Sequence, residues 1–281
     1  MSDSSANNIE QHLVILVPGL NGGGLELGQL PQFLTEQGKA IRVLEIDGYT
    51  FGKNATKWTY WLQQFHRILD EEKVKYASIS IVGISMGSTL ALAVATQRDD
   101  ISSLVLLSPV LKYDGWSVPW YYPMLRIFYL LGFRRWRYFE REPFGVKNPD
   151  LRRRIAERFK SSDLSEVGAI SITAHHLYQA ICLKNYTKNN LFEVTTSTLI
   201  VQSVEDDTCS VWSAEKILEE ISSELRRIIW LGNSYHIVTV DNERETVLNE
   251  VSRFLNTNLD QDNILSNYYM TTKTKPLRLR T

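Results

Sequence analysis

A serine, a group of acids and a histidine lie in this sequence where they could act on one carbonyl carbon. Ser85 is the centre of Gly83-Ile84-Ser85-Met86-Gly87. An apolar β-type run, Ser78 to Val82, precedes it, and Ser88 to Ala95 after it favours helix. A strand, a sharp turn and a helix force the central serine into a strained backbone conformation, which neighbouring glycines accommodate at close quarters. The hydroxyl is then exposed at the carboxyl edge of a sheet, within reach of an imidazole. A serine hydroxyl is a poor nucleophile at neutral pH and needs a base beside it. The base needs a carboxylate to fix its tautomer, and the developing oxyanion needs N–H donors, each worth about 3 kcal/mol of barrier.

The chain offers candidates for each part. There are five histidines. His12 starts a strand, His66 lies inside an amphipathic helix, and His175 and His176 fall in a helical region. His236 follows both a late strand and the acidic loop, which makes it the candidate base. Glu205, Asp206 and Asp207 compete for the acid. The oxyanion donors expected are the backbone N–H of Met86, just after the nucleophile, and of Leu20 in the loop Pro18 to Gly24. That Gly-rich loop could instead cradle a phosphate. It has neither the lysine of a P-loop nor the spacing of a dinucleotide site, so phosphate is disfavoured.

The elements that must position these residues alternate. His12–Val17, Ala40–Ile46, Ser78–Val82, Ser103–Leu107, Thr198–Val201 and Arg227–Leu231 read as strands. Pro31 suits the first turn of a helix that Gly38 closes. Asn54 is a candidate N-cap for a helix whose apolar stripe is Trp58, Trp61, Leu62, Phe65, Ile68 and Leu69. Trp212–Ile221 and Glu243–Leu255 are further helices. Alternation predicts an α/β fold with a mostly parallel, doubly wound sheet, whose ligands bind beyond the carboxyl ends of the strands. The Gly-rich loop, Ser85, the 205–207 acids and Ser234-Tyr235-His236 each follow a strand and share that edge.

Between Pro109 and about Val194 no strand is predicted, only helical stretches rich in Arg, Tyr, Trp and Phe. The expected organisation is therefore a core of residues 1–109 and 195–258, a helical cap or lid of residues 110–194, and a polar tail of residues 259–281 that frays.

Val17-Pro18-Gly19-Leu20, Gly83-Ile84-Ser85-Met86-Gly87, Leu199-Ile200-Val201-Gln202-Ser203-Val204-Glu205-Asp206 and Ser234-Tyr235-His236 together resemble the α/β-hydrolase superfamily. The chain is most similar to its small carboxylesterase and monoacylglycerol-lipase or lysophospholipase branch, over about residues 12–109 and 197–256. The order serine, acid, histidine is the one that superfamily uses. In that branch a strand similar to Leu-Ile-Val-Gln is followed by a small residue, two variable positions and the catalytic Asp, which lands on Asp206. The resemblance implies a catalytic set of Ser85, Asp206 and His236, and a serine hydrolase acting on ester bonds. Three positions depart from the pattern: Pro18-Gly19 where His-Gly is frequent, Ser88 where Gly is common, and Tyr235 where Gly usually precedes the base.

Composition narrows the partners. A net charge of −1 gives no electrostatic argument for nucleic acid. Charge is uneven, with twelve Lys/Arg against five Asp/Glu from Val110 to Lys160. Cys182 and Cys209 have no metal-ligand spacing, and no metal or cofactor is expected. A reduced, cytoplasmic setting is expected, since the polar start Met1 to Gln11 is unlike a signal peptide. No run of eighteen apolar residues suggests a membrane span. The segment 116–137 is apolar and aromatic and runs into Arg134-Arg135-Trp136-Arg137, so peripheral contact with an anionic lipid surface is a second expectation for the cap. The expected substrate is a small-molecule ester with a lipid-like or aromatic acyl group. An acyltransferase or thioesterase with the same three residues, and a non-catalytic binding protein, are the competing readings.

Overall fold

A computed structural model describes residues 10–50, 55–132, 136–139, 141–160 and 171–257. Its main sheet has six strands: β1 (Glu10–Val17), β2 (Ala40–Val43), β3 (Tyr76–Ile84), β4 (Ser103–Leu107), β7 (Thr198–Ser203) and β8 (Arg226–Leu231), in the order β2-β1-β3-β4-β7-β8. Every neighbouring pair in it is parallel. Strand order reverses direction after β1, the topology of a doubly wound sheet.

The inner strands carry continuous apolar runs, Leu13–Val17, Leu104–Leu107 and Leu199–Val201, because both faces are covered. Side chains alternate between two cores. Leu13, Ile15, Ile81, Leu104 and Ile200 face α2 (Trp58–Lys73), α3 (Met86–Ala95), α6 (Ala174–Asn189) and α7 (Trp212–Glu220). Val14, Leu16, Val82, Val105 and Val201 face α1 (Leu30–Glu36) and the last helix, α8, residues 244–257. The stripe expected on α2 is buried at Trp61, Leu62, Phe65, Ile68 and Leu69, with Trp58 at its margin. Pro31 lies in the first turn of α1, and Gly38 takes a φ of +77° just beyond its end. The N-cap proposed at Asn54, residues 1–9 and the tail from 258 lie outside the described residues.

Between β4 and β7 the chain leaves the sheet at its carboxyl edge. This insertion carries α4 (Leu125–Leu130), α5 (Pro149–Lys160) and α6. It also carries two strands that the sequence reading did not predict. β5 (Arg137–Phe139) and β6 (Ser171–Thr173) pair antiparallel in a separate two-stranded sheet. Three residues are too few to display a period of two, and Arg-Tyr-Phe and Ser-Ile-Thr have no shared pattern. The side chain of Thr173 caps α6 by accepting the His176 N–H at 3.2 Å. Ala180 and Leu183 then bind α6 into the core over α3. β2 ends at Val43 rather than Ile46, though Leu44 and Ile46 stay buried.

Candidate active site

The turn between β3 and α3 holds Ser85 at φ 56° and ψ −124°, a region that side chains rarely occupy. The flanking glycines are there for space. A Cβ on Gly87 would lie 2.2 Å from the Val17 carbonyl oxygen, and one on Gly83 would lie 2.6 Å from the Gly87 backbone. α3 can therefore start hard against β1 and β3 only with glycine at both positions. Ser88, the departure from the family pattern, is buried and donates to the carbonyls of Gly83 (2.7 Å) and Leu107 (3.0 Å). The Ser85 N–H donates to Leu107 O at 2.9 Å, fixing the turn to β4.

The loop after β8 brings His236 to this turn. Its Nε2 is 2.8 Å from Ser85 Oγ, and its Nδ1 lies 2.8 and 3.0 Å from the two carboxylate oxygens of Asp206. Both side chains are buried. The His236 carbonyl accepts from Ser108 Oγ at 2.7 Å, which anchors the candidate base to the end of β4.

Asp206 is held on both oxygens. Its Oδ1 accepts the N–H groups of Thr208 (2.8 Å) and Cys209 (2.9 Å), and its Oδ2 accepts from the Gln202 amide (2.9 Å) and lies 3.4 Å from Cys209 Sγ. Burial opposes ionisation most strongly, but the His236 charge and hydrogen bond and the two backbone donors outweigh it, so the carboxyl stays below its ordinary pKa. The neighbouring acids have other roles. Glu205 is exposed and pairs with Lys147 Nζ at 2.5 Å. Asp207 is buried, accepts weakly from Ser117 Oγ at 3.4 Å, and is pushed up by burial and by Asp206 against the opposing pull of His236.

The remaining histidines are elsewhere. His12 bonds Ser78 Oγ near the amino end of the sheet, His66 bonds Gln97, His175 bonds Tyr129, and His176 lies at the α6 cap. Leu20 and Met86, the expected oxyanion donors, lie in the Gly-rich loop and directly after Ser85. Their N–H groups donate to no group among the described residues. A Cβ on Gly19 would be 3.6 Å from Ser85 Cβ, so the Gly-rich loop closes directly on the serine.

Three residues at the site were not anticipated. Gln202 and Cys209 support Asp206, and the Glu26 carboxylate accepts the Gly19 N–H at 2.9 Å. Gln202 stood in the motif only as a register mark. Asp206, Cys209 and His236 are also the described cluster whose ligating atoms lie within 4.8 Å of one another, but their hydrogen bonds already join them into one relay.

The insertion is fastened to the acid and base loops. The Gly115 N–H donates to Thr208 O (3.0 Å), the Ser117 N–H to Asp207 O (3.0 Å), and the Ile237 N–H to Gly145 O (2.8 Å). Tyr235, the third departure, packs edge-on against Trp116 with ring centroids 5.3 Å apart.

A parallel sheet wound on both sides, with a strained serine after its central strand and a histidine and an aspartate at the same edge, defines an α/β hydrolase. Within that class the chain belongs to the family described as serine aminopeptidase, S33, whose model matches residues 9–244. It is 23% identical over 244 residues to a thermostable monoacylglycerol lipase of Bacillus sp. (strain H-257), covering 86% of this chain and 89% of the relative. It is 21% identical over 248 residues to a carboxylesterase of Bacillus subtilis (strain 168), covering 86% and 91%. Among solved structures, a monoacylglycerol lipase of Paleococcus ferrophilus superposes with a TM-score of 0.74 at 16% identity, covering 88% of this chain and 94% of that one. A soluble variant of monoglyceride lipase from Saccharomyces cerevisiae gives 0.72 at 16%, covering 90% and 88%. No helix among the described residues is long and apolar enough to cross a membrane.

Proposed function

We propose that this protein is a serine hydrolase that cleaves carboxylic esters through an acyl-enzyme on Ser85. The observation that carries the reading is the 2.8 Å contact from Ser85 Oγ to His236 Nε2 with Asp206 bonded to Nδ1 behind it. His236 takes the serine proton as Oγ attacks the ester carbonyl, and Asp206 stabilises the imidazolium. The N–H groups of Leu20 and Met86 receive the oxyanion. His236 then gives its proton to the leaving alcohol, and water repeats the sequence on the acyl-enzyme. The family's description names a peptidase, whereas the two curated relatives are named for ester cleavage, which favours esters over amides.

Residues 110–194 serve as a cap over this edge, and their aromatic content suits a lipid-like or aromatic acyl group. A cavity of about 460 Å³ within the cap is lined by Tyr121, Leu125, Phe128, Trp136, Tyr138 and Phe139 together with Arg137 and Arg141; neither Ser85 nor His236 lines it, so it supports an apolar, aromatic cap with a cationic rim rather than marking the acyl site itself. Trp120 is 85% and Leu131 68% exposed in a segment that also carries exposed Arg126 and Arg137, which supports peripheral contact with an anionic membrane. The test is a panel of p-nitrophenyl esters of increasing acyl length, with p-nitroanilides as the amide control, against wild type and Ser85→Ala. Ester cleavage that rises with chain length and vanishes in Ser85→Ala supports the reading; equal hydrolysis by Ser85→Ala refutes it.

A further inference from the structure

The Gly-rich loop has the amides of an anion cradle, and the structure fills that cradle from within. Glu26, in the short 3-10 turn that follows (Leu25–Leu27), folds its side chain back beneath residues 19–22. Its Oε1 accepts the Gly19 N–H at 2.9 Å and sits where a Gly22 Cβ would lie, 1.9 Å from the ideal position. Glycine at 22 is thus what leaves room for the carboxyl. The carboxyl is turned inward. Burial pushes its pKa up, while the backbone N–H groups of Glu26, Gly19 and Gly24 pull it down.

The rest of the loop is pinned by Tyr49. Its hydroxyl donates to Pro18 O at 2.8 Å, and its carbonyl accepts the Asn21 N–H at 2.9 Å. Gly22 closes the turn by donating to Gly19 O at 2.9 Å. Asn21 is held at φ 56°, in the left-handed region. Residues 18, 19, 21 and 22 are therefore each fixed by a hydrogen bond, and within residues 18–22 the N–H that donates to no group among the described residues is that of Leu20.

We infer that Glu26 is a positioning residue for the oxyanion hole: by occupying the Gly19 N–H and the space over Gly22 it orients the Leu20 N–H toward Ser85. This rests on the proposed serine mechanism and adds to it a residue seven positions from the amide it holds. Glu26 touches no reacting atom. It holds the peptide between Pro18 and Gly19 and through it the next one, which carries the Leu20 N–H and whose aim decides how well a charge developing beside Ser85 is met.

The experiment compares Glu26→Ala, which deletes the acceptor, with Glu26→Gln, whose amide oxygen can still accept the Gly19 N–H. The substrate is one p-nitrophenyl ester, with Ser85→Ala in parallel and a thermal melt of each variant. Glu26→Ala should lose about 10- to 100-fold in kcat with KM little changed, because the lost interaction acts on the transition state. Glu26→Gln should recover most of that rate. The bimolecular rate of Ser85 labelling by a fluorophosphonate should fall in parallel, since that reaction also builds charge on an oxygen facing the hole. A folded Glu26→Ala with wild-type kcat, beside an inert Ser85→Ala, would overturn the inference and leave the serine mechanism standing. Equal losses in Glu26→Ala and Glu26→Gln would overturn it too, since the hydrogen bond would not be the cause. A wild type that neither cleaves esters nor takes the label would remove both.

Discussion

Replacing Asp206 by Asn tests whether the buried carboxylate controls the tautomer of His236, and the structure dictates how the amide must sit. Oδ1 accepts two backbone N–H groups, from Thr208 and Cys209, that cannot turn away. An Asn side chain must place its oxygen there. Its NH2 then takes the Oδ2 position, facing the Gln202 amide donor 2.9 Å away and His236 Nδ1. Two donors now meet at Gln202. His236 can accept from the Asn only with Nδ1 unprotonated, which puts its proton on Nε2, pointed at Ser85 Oγ. In that tautomer the imidazole cannot take the serine proton. In a serine protease the same substitution costs about 10⁴ in kcat, equivalent to about 5 kcal/mol of barrier. The same order, about 10³ to 10⁴, is expected here, with KM little changed and Ser85→Ala losing at least as much. The assay is steady-state hydrolysis of a p-nitrophenyl ester at neutral pH, with Asp207→Asn as comparator. Asp207 bonds neither ring nitrogen, so its variant should stay within about tenfold of wild type. An Asp206→Asn enzyme within tenfold of wild type, or an Asp207→Asn enzyme more impaired than it, would refute the assignment of the acid.

Three further outcomes follow from the geometry. Gly87→Ala must push a Cβ into the Val17 and Pro18 carbonyls, neither of which can rotate away, so it should lower stability by about 3 kcal/mol or more, measured by urea unfolding; a soluble variant of wild-type stability would contradict the tight elbow. His12 and His176 are pushed down from 6.5 to about 4, chiefly by burial. Both are neutral when folded, the unfolded chain binds more protons between those values, and stability is therefore full above pH 6.5 and lost as pH falls toward 4, by up to about 3 kcal/mol for each. His12→Gln should flatten that decline in a series of melts, and an unchanged slope would count against it. Anionic vesicles should retain the protein more than neutral ones if the 116–137 surface touches lipid, with Trp120→Ser/Leu131→Ser weakening retention; equal flotation with both vesicle types would exclude an anionic docking face.

Much of the architecture was legible because its signals are local. Strand cores such as Leu104–Leu107 are continuous apolar runs, and Gly83 and Gly87 are positions of the turn that tolerate no side chain. The candidate base was legible from chain order, since among the five histidines only His236 follows the acidic loop, and the fold brings its ring to Ser85. The acid was not. Glu205, Asp206 and Asp207 are chemically similar in sequence, and only the resemblance selected Asp206. In the fold they separate: one pairs with Lys147, one receives three hydrogen bonds from Gln202, Thr208 and Cys209 and faces the imidazole, and one is buried against Ser117. The β5–β6 pair escaped because its central partners, Tyr138 and Ile172, are 34 residues apart and each strand is three residues long. Glu26 escaped for a different reason: its partner is a backbone amide, which no residue type advertises.

The central claim is that Ser85 is a nucleophile activated by His236. The most direct measurement is intact mass spectrometry and peptide mapping after treatment with a fluorophosphonate. The account predicts one adduct per chain, on the peptide carrying Ser85, formed far more slowly when His236 is replaced by Ala. An adduct on another residue, or labelling of Ser85 at the same rate without the imidazole, would contradict it.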